Sequence, residues 1–182
     1  TVCPWCYIGK KRLEKAINDH KNIEFKQTWR PFQLNPGMPP DGMDRQEYLI
    51  SKFGSADAAK TIYDNIYDEG LLEGINFNFD SIQTTPNSFN SHRLLALAYK
   101  QGIQENVLNS LFESYFLNGE DLGDPNILLE IAIKHQIDAE NFKTYLSDQE
   151  NIEPLANEEI QARKMGINSV PTFIVNKQIV IN

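Results

Sequence analysis

Two cysteines carry the most reactive chemistry this chain has, and they stand in C-x-x-C spacing: Cys3-Pro4-Trp5-Cys6. Thiols two residues apart can close a small disulfide ring, open it and close it again. A helical pattern begins directly behind them, in Tyr7-Ile8-Gly9-Lys10-Lys11-Arg12-Leu13. At a helix N-terminus, unpaired backbone N–H groups and the positive end of the dipole favour a thiolate. A thiolate is the nucleophile of thiol–disulfide exchange. Pro4 suits the first helical position, where its missing N–H had no partner to lose. The dipeptide between the cysteines has no charge and no histidine, so Cys3 is expected to rely on the helix terminus and backbone N–H groups alone. Its pKa should lie below that of free cysteine and above that of the strongest oxidants.

Two duller readings compete with redox. Zinc needs about four ligands and C-x-x-C supplies two; the histidines, His20, His92 and His135, lack H-x₃₋₅-H spacing. The cysteines could also be incidental. A structural disulfide is disfavoured, since so short a loop constrains the unfolded chain little. No metal and no cofactor is expected.

The 182 residues suffice for one ordinary domain, or for a small domain with a large insertion. A net charge of −8 argues against sequence-independent nucleic-acid binding, which needs a basic footprint. No apolar run approaches the ~18 residues of a membrane span, and no secretion signal is visible. Neither nucleic acid nor membrane is therefore an expected partner.

The elements that must position the dithiol follow from periodicity and punctuation. Tyr7 to about Asn18 reads as a helix with Ile8, Leu13, Ala16 and Ile17 on one face and the basic residues opposite. Ile23 to Trp29 alternates, predicting a half-buried strand to about Arg30 or Leu34. Asn35 to Gly42, with three prolines and two glycines, breaks regular structure. From Asp44 to about Gln149 the pattern is helical. Asp44 caps a helix ending at Gly54, and Ser55 caps the next. Ile75 to Phe79 is extended. Further helices run over Phe89–Gln101, Gln104–Leu117 and Asn126–His135, and from Asp138 to Leu146. A last long helix begins near Pro154 and stops at Gly166. Val170-Pro171-Thr172-Phe173-Ile174-Val175 then reads as β, with Lys177 to Ile181 as a hairpin partner. These C-terminal strands should pair with the strand near Phe25. The helical block becomes an insertion in a small α/β unit: residues 1–35 and 151–182 form that unit, and 36–150 the insertion.

With these stretches in view, the chain resembles the DsbA-like branch of the thioredoxin fold, and within it the FrnE-type proteins. The resemblance rests on Thr1 to Gly9, on Trp29-Arg30-Pro31-Phe32-Gln33-Leu34-Asn35-Pro36, on Ser91-His92-Arg93-Leu94-Leu95, on Leu111 to Phe116, and on Gly166-x-x-x-Val170-Pro171-Thr172. It implies a thioredoxin-like α/β fold with a large all-helical insertion. It also implies that Cys3 is the attacking, partly exposed thiol, that Cys6 is the buried resolving thiol, and that the Val170–Pro171 bond is cis and faces them. Without the resemblance a trans proline on an edge strand would be the simpler reading. A cis Pro171 would leave the Val170 backbone free to pair with an extended substrate. Pro4, Trp5, Val170 and Thr172 are the expected substrate contacts. The family ordinarily has a central strand before the active-site helix and a helix after the final hairpin. Only Thr1-Val2 precede Cys3 and the chain stops at Asn182, so both elements are expected to be absent from this chain.

The implied activity is protein thiol–disulfide oxidoreduction, on protein or low-molecular-weight thiols and disulfides, glutathione included. Two alternatives share the fold: glutathione-dependent isomerases and transferases of the kappa/hydroxychromene-carboxylate type, and a non-enzymatic adaptor or chaperone using the groove around Trp5. FrnE-type relatives point to the cytoplasm; DsbA itself is periplasmic. Around the site, Trp5 is either an exposed platform or packed on the insertion. Phe32, Leu34 and Pro36 read more simply as core than as groove. His92 is expected to be a satisfied core or boundary histidine, and Arg30 to pair with an acid of the insertion. The acid-rich stretch Glu150 to Glu159 reads as a solvated helix face.

Overall fold

The dithiol lies where the chain enters its first helix, and the rest of the fold determines what covers that entry. The structure, a computed structural model, describes all 182 residues. Helix α1 runs Pro4–Asp19, with Cys3 at its N-cap and Pro4 in the first turn. After an extended stretch come β1 (Met43–Asp44), α2 (Arg45–Phe53), α3 (Ala56–Leu72), β2 (Thr84–Thr85), α4 (Phe89–Lys100), α5 (Gln104–Phe116), α6 (Pro125–Lys134), α7 (Ala139–Ser147), α8 (Ile152–Lys164), β3 (Phe173–Val175) and β4 (Ile179–Ile181). The fold is mostly helical with little sheet.

Local chemistry sets most helix ends. Asp44 Oδ1 accepts from the N–H groups of Gln46 and Glu47, and Ser55 Oγ from that of Ala58. Gly54 closes α2 at φ +89°, the left-handed conformation that glycine adopts without a Cβ penalty. Asp124 and Asp138 cap α6 and α7 in the same manner. The core is a single cluster of 22 buried residues. Phe112, Tyr115 and Phe116 of α5 sit at its centre, and Tyr7 of α1 stacks on Phe112 at 4.8 Å between ring centroids. Helix α1 is therefore anchored to the helical block by Tyr7 and Ile8. No helix is long and apolar enough to cross a membrane.

The sheet departs from expectation. Residues 24–33 form no strand; Ile23 and Phe25 are about half exposed. Side chains take the place of a ladder there. Gln104 accepts from the Trp29 N–H and donates to the Trp29 carbonyl, while Glu105 accepts from the Trp29 indole N–H at 2.7 Å. Nor do the C-terminal strands reach this segment. β3 and β4 pair only with each other, Phe173 opposite Ile181 and Val175 opposite Ile179. Their turn has φ of 51° at Asn176 and 60° at Lys177, the two positive values of a type I′ turn. A second two-stranded ribbon, β1 with β2, lies inside the helical block, where no strand was expected.

Candidate active site

Cys3 has extended backbone (φ −104°, ψ 115°), and its carbonyl already accepts from Cys6 N–H at 3.0 Å. This geometry sets both thiols at the first turn of α1, and both are free. Across from them the Val170–Pro171 peptide bond is cis, and the Val170 carbonyl oxygen lies 3.9 Å from Cys3 Sγ. The cysteines and this loop, some 165 residues apart in sequence, thus meet at one point.

A residue with no assigned role at the sequence level makes that approach feasible. A Cβ at Gly9 would stand 3.0 Å from Pro171 Cγ and 3.3 Å from the Phe173 ring. Glycine inside a helix costs roughly 1 kcal/mol relative to alanine. That penalty, visible in the sequence, was the available signal that a second segment docks here.

The whole-residue exposures of the two cysteines do not follow what the resemblance implies, although the Cys6 thiol is the more desolvated of the two. Cys3 is buried, 7% exposed, whereas Cys6 is half-buried against the core cluster. The loop at Val170 lies over Cys3. The Cys3 pKa is lowered to about 7, first by a hydrogen bond from the Cys6 thiol, against the opposing effect of burial, with smaller help from the backbone N–H groups of Cys6 and Trp5. The helix terminus is thus not alone; the partner thiol is the main cause. Cys6 is pushed well above the ordinary thiol range by the same bond and by desolvation. One thiol is thus ionised near neutral pH and the other held protonated, the asymmetry that exchange needs.

Of the expected substrate contacts, Trp5 is exposed at 39%, and Val170 and Thr172 are partly open, as is Pro171. Pro4 is buried and presents no free surface. Thr172 Oγ1 donates to the Ser169 carbonyl at 2.7 Å and bonds Asn182 Oδ1 at 2.8 Å, which braces the loop. Phe32, Leu34 and Pro36 are not core: Phe32 and Leu34 are half-buried and Pro36 is exposed. The Arg163 guanidinium lies 4.3 Å from the Phe32 ring centroid and donates to the Gln33 carbonyl at 2.6 Å, so α8 holds this segment.

Several side chains differ from their sequence reading because their partners are distant in sequence. Lys10, expected on a basic outer face, is fully buried and ion-paired with Glu14 and Glu105. Arg30 pairs with Glu158 of α8 at 3.1 Å, not with an acid of residues 36–150. Glu159 is buried against Arg163, an exception to the solvated face. His92 is buried, but neither ring nitrogen has a hydrogen-bond partner; the Phe32 backbone lies beside the ring without bonding geometry. It is a core histidine and an unsatisfied one. Its neighbour Arg93 reaches the carbonyls of Tyr145, Leu146 and Asp148 at 2.7 to 2.9 Å, closing the C-terminus of α7. No group of three or more His, Cys, Asp or Glu side chains is placed to hold a metal ion.

The profile of the DSBA-like thioredoxin domain matches residues 1–182. The uncharacterized protein YwbO of Bacillus subtilis is 26% identical over 188 residues, spanning 98% of this chain and 84% of that protein. The ClpXP adapter protein SpxH of Bacillus licheniformis is 38% identical over 74 residues, 41% of this chain and 24% of the adapter. Among solved structures, a probable DsbA oxidoreductase from Streptomyces coelicolor superposes with a TM-score of 0.86 at 28% identity, covering 99% of this chain and 79% of that one. A 2-hydroxychromene-2-carboxylate isomerase superposes with a TM-score of 0.71 at 14% identity, over 98% of this chain and 83% of its own, a likeness of fold alone.

Proposed function

Since the chain belongs to the DSBA-like thioredoxin domain family, we propose that it is a thiol–disulfide oxidoreductase working through Cys3 and Cys6, and of the FrnE-type branch. The observation that carries this reading is the Cys3 thiol. It is free, its pKa is lowered to about 7, and it sits at the α1 N-cap beside the Val170 carbonyl of a cis-proline loop. In the reductive direction the Cys3 thiolate attacks one sulfur of a substrate disulfide. The S–S bond breaks, one substrate thiolate leaves and takes up a proton, and a mixed disulfide remains. Cys6 then loses its proton and attacks Cys3 Sγ. The second substrate thiol leaves, and the Cys3–Cys6 disulfide holds the oxidising equivalents. The reverse sequence oxidises a dithiol. Residues 1–35 and 151–182 supply this machinery, with 36–150 as the helical insertion. Trp5, Val170 and Thr172 receive protein or small thiol substrates, glutathione included. The FrnE-type resemblance supports a cytoplasmic place of action.

A second reading is favoured by the 74-residue likeness to a ClpXP adapter protein: partner binding at the exposed Trp5 surface without turnover. Insulin reduction and dithiol oxidation by Cys3→Ser and Cys6→Ser variants separate the two. Redox function requires Cys3→Ser to fall to background and Cys6→Ser to accumulate mixed disulfides, seen by mass spectrometry. Full activity in both variants would remove it. The rate of Cys3 alkylation against pH should follow a midpoint near 7. A midpoint at about 3.5, as in the strongest oxidants of this fold, would contradict the Cys6 hydrogen bond as its main cause.

A further inference from the structure

Gly9 stands where the dithiol helix meets the loop that covers Cys3, and its missing side chain sets how closely the two approach. A Cβ there would lie 3.0 Å from Pro171 Cγ and 3.3 Å from both Pro171 Cβ and the tip of the Phe173 ring. Two carbons are best separated by at least about 3.5 Å, so a methyl group would force a displacement of about 0.5 Å. Burial determines which side yields. Helix α1 is fixed to the helical block on both sides of Gly9: Tyr7 and Ile8 belong to the core cluster, and the buried Lys10 pairs with Glu105 of α5. The loop is held less firmly. Val170, Pro171, Thr172 and Phe173 are half-buried, and all of β4 behind them is exposed. Bonds from Thr172 Oγ1 to the Ser169 carbonyl and to Asn182 Oδ1 brace the loop internally, so it moves as one piece. A methyl at position 9 therefore lifts the loop and leaves the helix in place.

Lifting that loop changes what Cys3 can meet. With Gly9 in place, Cys3 is 7% exposed and the Val170 carbonyl oxygen lies 3.9 Å from its sulfur. An extended polypeptide can offset the lack of room, because a backbone N–H that donates to the Val170 carbonyl draws its sulfur toward Cys3. A small disulfide has no backbone to offer and meets only the obstruction. We propose that Gly9 is a specificity-determining residue: by seating Pro171 on α1 it closes the loop over Cys3, and the closed site favours disulfides carried on extended polypeptide over small ones. This role presupposes exchange through Cys3 and Cys6 and adds a substrate class to it. Gly9 touches neither substrate nor sulfur and acts only by positioning the loop.

The test is single-turnover oxidation of the reduced full chain by two disulfides with the same leaving thiol. They are hydroxyethyl disulfide and a short unstructured peptide whose single cysteine is joined to mercaptoethanol. With each, the Cys3 thiolate displaces mercaptoethanol, Cys6 displaces the second thiol, and the Cys3–Cys6 disulfide remains. The parent should react faster with the peptide. A misplacement of about 1 Å costs roughly 100-fold, so the lift of about 0.5 Å in Gly9→Ala should slow the peptide about tenfold. Hydroxyethyl disulfide should react faster than with the parent. Gly9→Val should widen both changes; should it fail to fold by circular dichroism, Gly9→Ala decides. Alanine is the better helix former of the two, so a merely structural role would strengthen α1 in Gly9→Ala and leave the ratio of the two rates unmoved. Cys3 alkylation gives a readout that needs no substrate. Burial opposes ionisation of this thiol, so the alkylation midpoint of Gly9→Ala should fall below the parent's. Loss of exchange in the parent would sink the redox reading and this role with it, whereas retained exchange with an unchanged rate ratio sinks this role alone. Failure of Gly9→Ala to fold would overturn it as well, since the notch would then hold the fold and not the loop.

Discussion

The helical block and the flanks that carry the cysteines are packed in opposite ways. Twenty of the 22 core residues come from Ile66 to Phe142, and α1 contributes only Tyr7 and Ile8. At the other end of the chain every residue of β4 is more than half exposed, and Ile174 and Val175 of β3 are little better covered. Cohesion is concentrated in the block and chemistry in the flanks. The site is held by a few specific contacts: the close approach of Pro171 to Gly9, the Val170 carbonyl near Cys3, and Arg163 on the Gln33 carbonyl. A thiol that must be attacked and released cannot sit in a close-packed interior. A helix start docked onto such an interior by two side chains satisfies both demands.

The largest expected effect tests this division directly. Phe112 is 1% exposed and stacked on Tyr7, so Phe112→Ala should destabilise the fold by about 4 kcal/mol through lost burial and the cavity left behind. Val180 of β4 is 58% exposed, and Val180→Ala should cost less than about 0.5 kcal/mol. Urea denaturation measures both. Similar costs would mean that the hairpin shares the core after all. Next in size is Arg93→Met, which keeps the apolar stem and removes the donors to three carbonyls at the end of α7. Partly buried acceptors left without donors should cost about 1 to 2 kcal/mol. Hydrogen exchange should speed up in α7 more than in α5. Uniform acceleration would show that Arg93 supports the block as a whole rather than one helix end.

What the sequence disclosed follows the range of the interactions involved. Asp44 and Ser55 were legible as caps because each bonds an N–H two or three residues ahead. The helix boundaries fell within a few residues for the same reason. The run from Ile23 to Trp29 misled, because alternation registers a face but not a partner. The partner turned out to be a pair of side chains, Gln104 and Glu105, some 75 residues away. Lys10 looked like one more basic surface residue until Glu105 covered it. Residue types alone favoured a trans Pro171; the cis bond was expected only through the family resemblance. The exposures of Cys3 and Cys6 were carried over from that resemblance too, and Cys3 proved more covered than it implies.

The smallest effect concerns the seam between the two regions, where His92 of α4 faces the extended segment that runs toward the site. Burial lowers its pKa well below the usual histidine value, so the folded state refuses a proton that the unfolded chain accepts. Above about pH 6.5 the ring is neutral in both states and adds no pH dependence. Below that, the unfolded state binds more protons, and stability falls by about 1.4 kcal/mol per pH unit until the folded pKa is reached. Carboxylates begin to titrate only near pH 4 to 5, so the interval from about 6.5 to 5.5 belongs mainly to histidine. His135, lowered chiefly by burial, contributes a second and independent slope. Unfolding free energies from urea titrations at these two pH values should therefore differ by about 1 kcal/mol less in His92→Leu than in the parent chain. The variant should also be more stable at pH 7, since it removes two orphaned polar atoms from the interior. An unchanged slope would mean that the ring finds a proton acceptor at the seam, and that the flank is joined to the block by a polar contact rather than by burial alone.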